Sequence, residues 1–183
     1  MLHLGKSQSE GVYDLAKREI AQMYENGVDA VLVENYFGSL EYVIWALDYL
    51  KSQCSEYIYG VNVLGNAEIA FSLVSDYDAS FLQIDSVCGH LQVNADANFA
   101  ENLSELRALC PVFLLGEVRF KYQPVKFGRS VEEDLLLGKE RCDAVVVTGE
   151  EIGHNTNADG AIIGTWFKEN GKTHASVDFV RVK

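Results

Sequence analysis

Short apolar runs alternate along the chain with amphipathic helical patterns, and no hairpin turn signal separates them. The runs are rich in β-branched and aromatic residues, which is typical of strands buried on both faces. Between them, residues 12–24 and 40–50 place apolar side chains at helical spacing. This order predicts a parallel sheet with right-handed crossovers, either open and doubly wound or closed into a barrel. The predicted strands lie at 1–3, 29–34, 57–62, 80–85, 112–117, 143–148 and 160–164.

The predicted helix ends agree with this alternation. Ser130 and Glu133 have the spacing of a capping box, and Asn66 and Asn94 are expected N-caps. Gly27 stands where a helix C-terminus needs a left-handed residue.

Polar residues follow most of the apolar runs, so that the carboxyl ends of the strands form one polar edge, here called the rim. A (β/α)8 TIM barrel builds its active site on that face from the ends of several strands. An open sheet uses fewer strands and a glycine-rich first turn. The first turn here, residues 4–9, has one glycine and no G-x-G-x-x-G motif. We therefore expect an α/β fold of the TIM-barrel type, with one domain over residues 1–183.

Several segments resemble the BtpA family, which includes SgcQ-like proteins. The matching segments follow the family order over nearly the whole chain: MLHL at 1–4, GVDAVLVEN at 27–35, GVNVLGN at 60–66, ADGAIIGT at 158–165 with Lys168, and GKT at 171–173. The resemblance implies a TIM barrel similar to ribulose-phosphate-binding barrels. The family name comes from a role in biogenesis of photosystem I, and the chemistry that the family implies is poorly defined.

The chain departs from the family pattern near its C-terminus. Only residues 149–160 separate Thr148 from Ala161, with neither a helical pattern nor an apolar run. A parallel crossover needs a dozen or more residues, usually including a helix, and such barrels typically have about 250 residues in all. We expect an incomplete barrel of about seven strands, with the seventh βα unit missing from the molecule or from this sequence.

Composition restricts the partners. A formal net charge of −12 and a pI near 4.7 argue against binding to nucleic acid or to anionic lipid. The four cysteines and four histidines lack metal-ligand spacing, and no signal peptide or membrane-spanning run is recognisable. We expect a cytoplasmic protein that binds a small anionic metabolite, while a homo-oligomer remains open.

The expected ligand-binding residues lie after several strands. Gly164, Thr165 and Lys168 combine backbone N–H groups, a hydroxyl and an ammonium that suit a phosphate or carboxylate, although a buried strand followed by a turn explains them equally well. The other expected ligand-binding residues are Asn35, Asn62, Thr148 and Gly149.

The expected catalytic residues are Glu34, Asp85 and His3 for acid–base work, and Glu117 with Lys121. Lys121 would be a Schiff-base nucleophile if burial lowered its pKa, but a plain salt bridge with Glu117 is the favoured alternative. Acidic residues at the rim would also suit Mg²⁺, and spacing does not decide this.

Three functions remain open from sequence. The first is an enzyme that acts on a small phosphorylated metabolite, such as a sugar phosphate or a nucleotide. The second is a non-catalytic biogenesis or assembly factor for a membrane complex such as photosystem I. The third is a degenerate barrel that binds a ligand without chemistry. The charged groups at many strand ends favour the first.

Overall fold

The computed structural model describes residues 1–4, 11–53, 57–119, 124–126, 128–147, 159, 161–172, 175 and 177–182. Within them, parallel strands alternate with helices in an α/β arrangement. The strands are β1 (Leu2–His3), β2 (Ala30–Glu34), β3 (Ile58–Asn62), β4 (Phe81–Cys88), β5 (Phe113–Val118) and β6 (Ala144–Val146). The helices are α1 (Val12–Glu25), α2 (Leu40–Gln53), α3 (Ala67–Tyr77), α4 (Val93–Leu109), α5 (Val131–Arg141) and α6 (Phe179–Val182), with 3₁₀ turns at Thr165–Phe167 and Glu169–Gly171.

The strands of the described sheet stand in sequence order, β1-β2-β3-β4-β5-β6, and every neighbouring pair is parallel. Their registers bring Glu34 level with Asn62, and Glu117 level with Val146. None of the helices in the described part combines the length and the apolar composition that a membrane crossing needs.

Most of the expected helix ends are confirmed. Ser130 Oγ accepts a hydrogen bond from the N–H of Glu133 (3.2 Å), and the Glu133 carboxylate accepts one from the N–H of Ser130 (2.6 Å), as a capping box requires. Asn66 caps α3, and Gly27 has the expected positive φ of 86°. The expectation for Asn94 was wrong, because α4 already begins at Val93.

The two faces of the sheet differ because side chains alternate along each strand. On one face, Tyr59 donates a hydrogen bond to the carbonyl of Tyr77 in α3. On the same face, α5 packs so closely that a Cβ at Gly138 would lie 2.6 Å from Val118 Cγ2. Glu34 and Asn62 belong to the alternate positions, and their side chains therefore point to the other face.

The prediction of a strand at 160–164 was wrong. The predicted count of seven strands was also wrong for the described part of the chain, whose sheet has six strands. Residues 161–163 have no regular structure, and Gly164 caps the 3₁₀ turn Thr165–Phe167. Gly164 has φ −124° and ψ −83°, a backbone conformation that turns the chain and prevents an extended strand from continuing. The segment still contacts the sheet, because the Met1 nitrogen donates a hydrogen bond of 2.7 Å to the Ile163 carbonyl.

Candidate functional site

The structure brings three of the expected site residues together at the rim. Glu34, Asn62 and Asp85 come from the carboxyl ends of β2, β3 and β4. The Asn62 amide nitrogen lies 2.9 Å from Glu34 Oε1 and 2.7 Å from Asp85 Oδ1. The two amide hydrogens thus bridge two carboxyl groups, and each carboxyl group is held in a fixed orientation.

Asn62 is almost fully buried, with 1% of its surface exposed. Its nitrogen uses both hydrogens on the two carboxyl groups, but no donor among the described residues reaches its oxygen Oδ1. A buried acceptor without a donor costs free energy comparable to a lost hydrogen bond. A hydroxyl or N–H of a bound molecule would remove that cost.

Asp85 is the carboxyl group of this cluster that water can reach, because it is half-buried whereas Glu34 is 3% exposed. Burial raises the pKa of Asp85, and the nearby charge of Glu34 raises it further. The hydrogen bonds from Asn62 and from the backbone of Gly65 act in the opposite direction and are outweighed. Asp85 is therefore set to hold and release a proton at a higher pH than an ordinary aspartate.

Asp85 lies within an irregularity of β4. Ile84 pairs with Gly116 and Cys88 pairs with Val118, so three residues of β4 stand opposite one residue of β5. Such a bulge changes the direction of the side chains on the extra residues and is common next to active sites. Here it frees Asp85 and its neighbour Ser86 from the regular pleat.

Other expected residues lie nearby or outside the described part. Asn35 Oδ1 accepts a hydrogen bond of 2.8 Å from the N–H of Leu64, which ties the loop after β2 to the loop after β3. Glu117 is buried at the end of β5. The backbone of His3 is level with Glu34. The expectations that lie outside the described residues concern Lys121, Thr148, Gly149 and the side chain of His3.

Lys168 is not part of the carboxyl cluster. Its ammonium lies 2.9 Å from Glu19 Oε2 of α1, and both side chains are buried, at 2% and 1% exposure. The other Glu19 oxygen accepts a hydrogen bond of 2.9 Å from the N–H of Val177. Gly164 and the half-buried Thr165 stand at the turn that precedes this lysine. The charge of Lys168 is therefore already matched by a protein carboxylate.

Sequence reasoning missed Glu19 and the contribution of Gly65. Glu19 lies within α1, and nothing in the helical pattern of that segment indicated that its carboxylate would be buried. Gly65 follows β3 with a φ of 72°, and its backbone group bonds to Asp85. A glycine within a few residues of the end of a predicted strand is a usable signal for such a turn.

The described residues hold no group of three His, Cys, Asp or Glu side chains close enough to bind a metal ion. Glu34 and Asp85 form a carboxyl pair around one amide, and Mg²⁺ would have to replace that amide's hydrogen bonds. The geometry of the cluster thus suits hydrogen bonding and proton transfer better than ion coordination.

Comparison with known proteins found relatives in archaea, all of them described as uncharacterised proteins. Proteins of Methanocaldococcus jannaschii and Pyrococcus horikoshii are each 27% identical, over 95% and 96% of this chain and 84% and 86% of their own. A protein of Thermococcus kodakarensis is 26% identical over 99% of this chain and 87% of its own. No family model and no solved structure matches.

The alignments are longer than the chain. The one with the M. jannaschii protein runs over 221 positions, whereas this chain has 183 residues. That relative therefore has residues within the aligned span that have no counterpart here.

Proposed function

We propose that this chain is an enzyme that transfers protons on a small polar metabolite bound at the rim, with Asp85 as the acid–base residue. The observation that carries the proposal is the Asn62 amide that joins Glu34 and Asp85. Ion pairs also perturb the pKa of carboxyl groups, but the described groups that act on Asp85 are a carboxylate, an amide and a backbone group, with no cation among them. Such an arrangement costs folding free energy, and carboxyl groups with perturbed pKa values of this kind cluster at active sites.

We also propose that the fold is an incomplete TIM barrel. In a doubly wound sheet the order of the strands reverses at a switch point, whereas the strands of a barrel follow sequence order. The sequential order of the six described strands supports a barrel. The bond from Met1 to Ile163 supports a position for residues 161–163 beside β1, where an eighth strand would lie. The alignment with the M. jannaschii protein is longer than this chain, which supports a missing segment here, and we assign that segment to the seventh βα unit.

The proposed roles follow from the environment of each side chain. Asp85 gives a proton to the substrate or takes one from it, since its raised pKa lies closer to neutral pH than that of a free aspartate. The negative charge of Glu34 helps to keep that pKa raised. Asn62 orients both carboxyl groups and offers Oδ1 to a substrate hydroxyl.

The proposed substrate class is a sugar phosphate, a nucleotide or a similar anion with hydroxyl groups. Hydroxyl groups suit the carboxyl and amide oxygens of the cluster. The phosphate part follows from the BtpA resemblance and from the backbone N–H groups near Gly164 and Thr165. Because Lys168 pairs with Glu19, a phosphate there would depend on backbone and hydroxyl groups.

The test has two steps. A thermal-melt screen of the purified protein against sugar phosphates, nucleotides, free sugars and inorganic phosphate identifies a ligand. At a hundredfold excess over Kd, binding stabilises the native state by about 2.7 kcal/mol. For a chain of this size this corresponds to a rise in Tm of about 5–10 °C.

Turnover of that ligand is then followed by NMR in the wild type and in Asp85→Asn. The control is Asp29→Asn, which makes the same change at an exposed position before β2, at the opposite end of the sheet. We expect turnover in the wild type and in the control, and a loss of at least 100-fold in Asp85→Asn. Equal turnover in Asp85→Asn, or no ligand in the whole screen, would contradict the proposal.

A further inference from the structure

Ser86 and His90 form a second polar pair at the same end of β4. Ser86 directly follows Asp85 in the β4 bulge and is 5% exposed. His90 lies four residues later in the loop that leads to α4, and it is half-buried. A hydrogen bond joins Ser86 Oγ to His90 Nδ1.

The neighbours of this pair determine where the protons lie. The Ser86 hydroxyl donates to the Cys88 carbonyl over 3.1 Å, and a hydroxyl has only one hydrogen. With that hydrogen on the carbonyl, the bond between Ser86 and His90 uses a hydrogen of the ring, which lies on Nδ1. Nε2 is left with a free electron pair.

The surroundings lower the pKa of the ring. Burial lowers the pKa of His90, which outweighs the opposing effects of the Cys88 carbonyl and of Asp96 from α4. Lys126, before α5, and Arg141 in α5 lower the pKa further. Asp96 is itself held by Arg141 through two bonds of 2.8 Å.

The loop that carries His90 is held in place on both sides. Arg141 donates a hydrogen bond of 2.6 Å to the Val87 carbonyl. Gly89 has a φ of 92°, and a Cβ there would lie 3.2 Å from Asp134 Oδ2. The N–H of Lys126 donates to the Gly89 carbonyl over 3.1 Å. A loop with these contacts keeps a side chain in one position, as a catalytic base requires.

We propose that His90 is a second proton-transfer residue of the rim, and that Ser86 positions it so that Nε2 faces a ligand bound beside Asp85. The inference rests on the proposed function for the location of the ligand. The alternative, in which His90 is the base that activates Ser86 as a nucleophile, requires a bare Nδ1 and a Ser86 hydrogen that points to the ring instead of the Cys88 carbonyl. Two proton-transfer groups at one end of β4 suit a reaction in which one donates and the other accepts.

The first experiment needs no ligand. Nitrogen-15 NMR of the histidine rings reports the tautomer of His90 across a pH titration. We expect hydrogen on Nδ1, a bare Nε2 and a pKa below about 6.5. Ser86→Ala should give a mixture of tautomers and a changed pKa, whereas Ser86→Thr, which keeps the hydroxyl, should behave as the wild type. Hydrogen on Nε2 in the wild type would overturn the inference, even if Ser86→Ala failed to fold.

The second experiment uses the substrate found by the screen. His90→Gln should lower kcat by about 100-fold or more and remove one limb of the pH profile, with a smaller effect on KM. Turnover that persists unchanged in His90→Gln but is lost in Asp85→Asn would overturn the role of His90 and leave the proposed function intact. If the wild type turns over no ligand, the proposed function fails. The inference about His90 is then tested without substrate, and it requires that Nε2 carries no hydrogen and reacts with diethyl pyrocarbonate.

Discussion

The buried ion pair between Glu19 and Lys168 gives the sharpest expectation for stability. It joins α1 to a residue 149 positions later in the chain, and the two side chains are 1% and 2% exposed. In Lys168→Met, an unbranched apolar side chain replaces the lysine. Glu19 then keeps the N–H of Val177 as a partner and loses its counter-charge.

The expected cost is large because a buried charge remains unmatched. Removal of one partner from a buried pair typically destabilises a protein by about 3–5 kcal/mol. Glu19→Gln should cost a similar amount, since it leaves the Lys168 ammonium buried while the amide oxygen still accepts from Val177. The double variant removes both charges of the pair, so it should be more stable than the sum of the two single effects predicts.

Urea unfolding followed by circular dichroism measures these free energies. The control is Lys17→Met, which breaks the exposed pair of Lys17 with Asp14 on the same helix (2.8 Å) and should have a much smaller effect. Lys168→Met with an effect as small as the control would refute the reasoning. Strict additivity of the two single variants would refute it as well.

Three further expectations follow from the structure. Gly60→Ala should destabilise by about 1–3 kcal/mol in urea unfolding, because its Cβ would lie 2.3 Å from the Phe81 ring, whereas Gly128→Ala meets nothing within 4 Å and should be neutral. Ser130→Ala should cost about 1 kcal/mol through loss of the α5 cap, and an unchanged midpoint would count against that cap. A carboxyl whose pKa is raised by folding stabilises the protein less as the pH rises through that pKa, so the stability of the wild type relative to Asp85→Asn should fall as the pH rises above about 3.9; a rise would contradict the raised pKa.

The strands that are buried on both faces could be predicted from the sequence because their apolar runs are continuous. The predicted strands at 29–34 and 57–62 became Ala30–Glu34 and Ile58–Asn62. The polar residues directly after such runs were predictable for the same reason, since parallel strands bring their carboxyl ends to one edge. Glu34 and Asn62 were found in this way.

The segment around Ile163 could not be predicted, because its apolar composition resembles that of a strand. Its conformation depends on Gly164, which turns the chain, and on Lys168, which forms an ion pair with Glu19. That pairing links residues at opposite ends of the sequence, and local patterns carry no information about it. The β4 bulge that presents Ser86 was missed for a related reason, since it shows only in the register with β5.

The acid–base role of Asp85 is tested most directly by its own titration. Carbon-13 NMR of the side-chain carboxyl gives the pKa of Asp85 in the folded wild type and in Glu34→Gln. We expect a pKa above the value of about 3.9 found in model peptides, and a lower pKa in Glu34→Gln, where the neighbouring charge is gone. A wild-type pKa at or below the peptide value would contradict the proposal that Asp85 is the proton-transfer residue of this site.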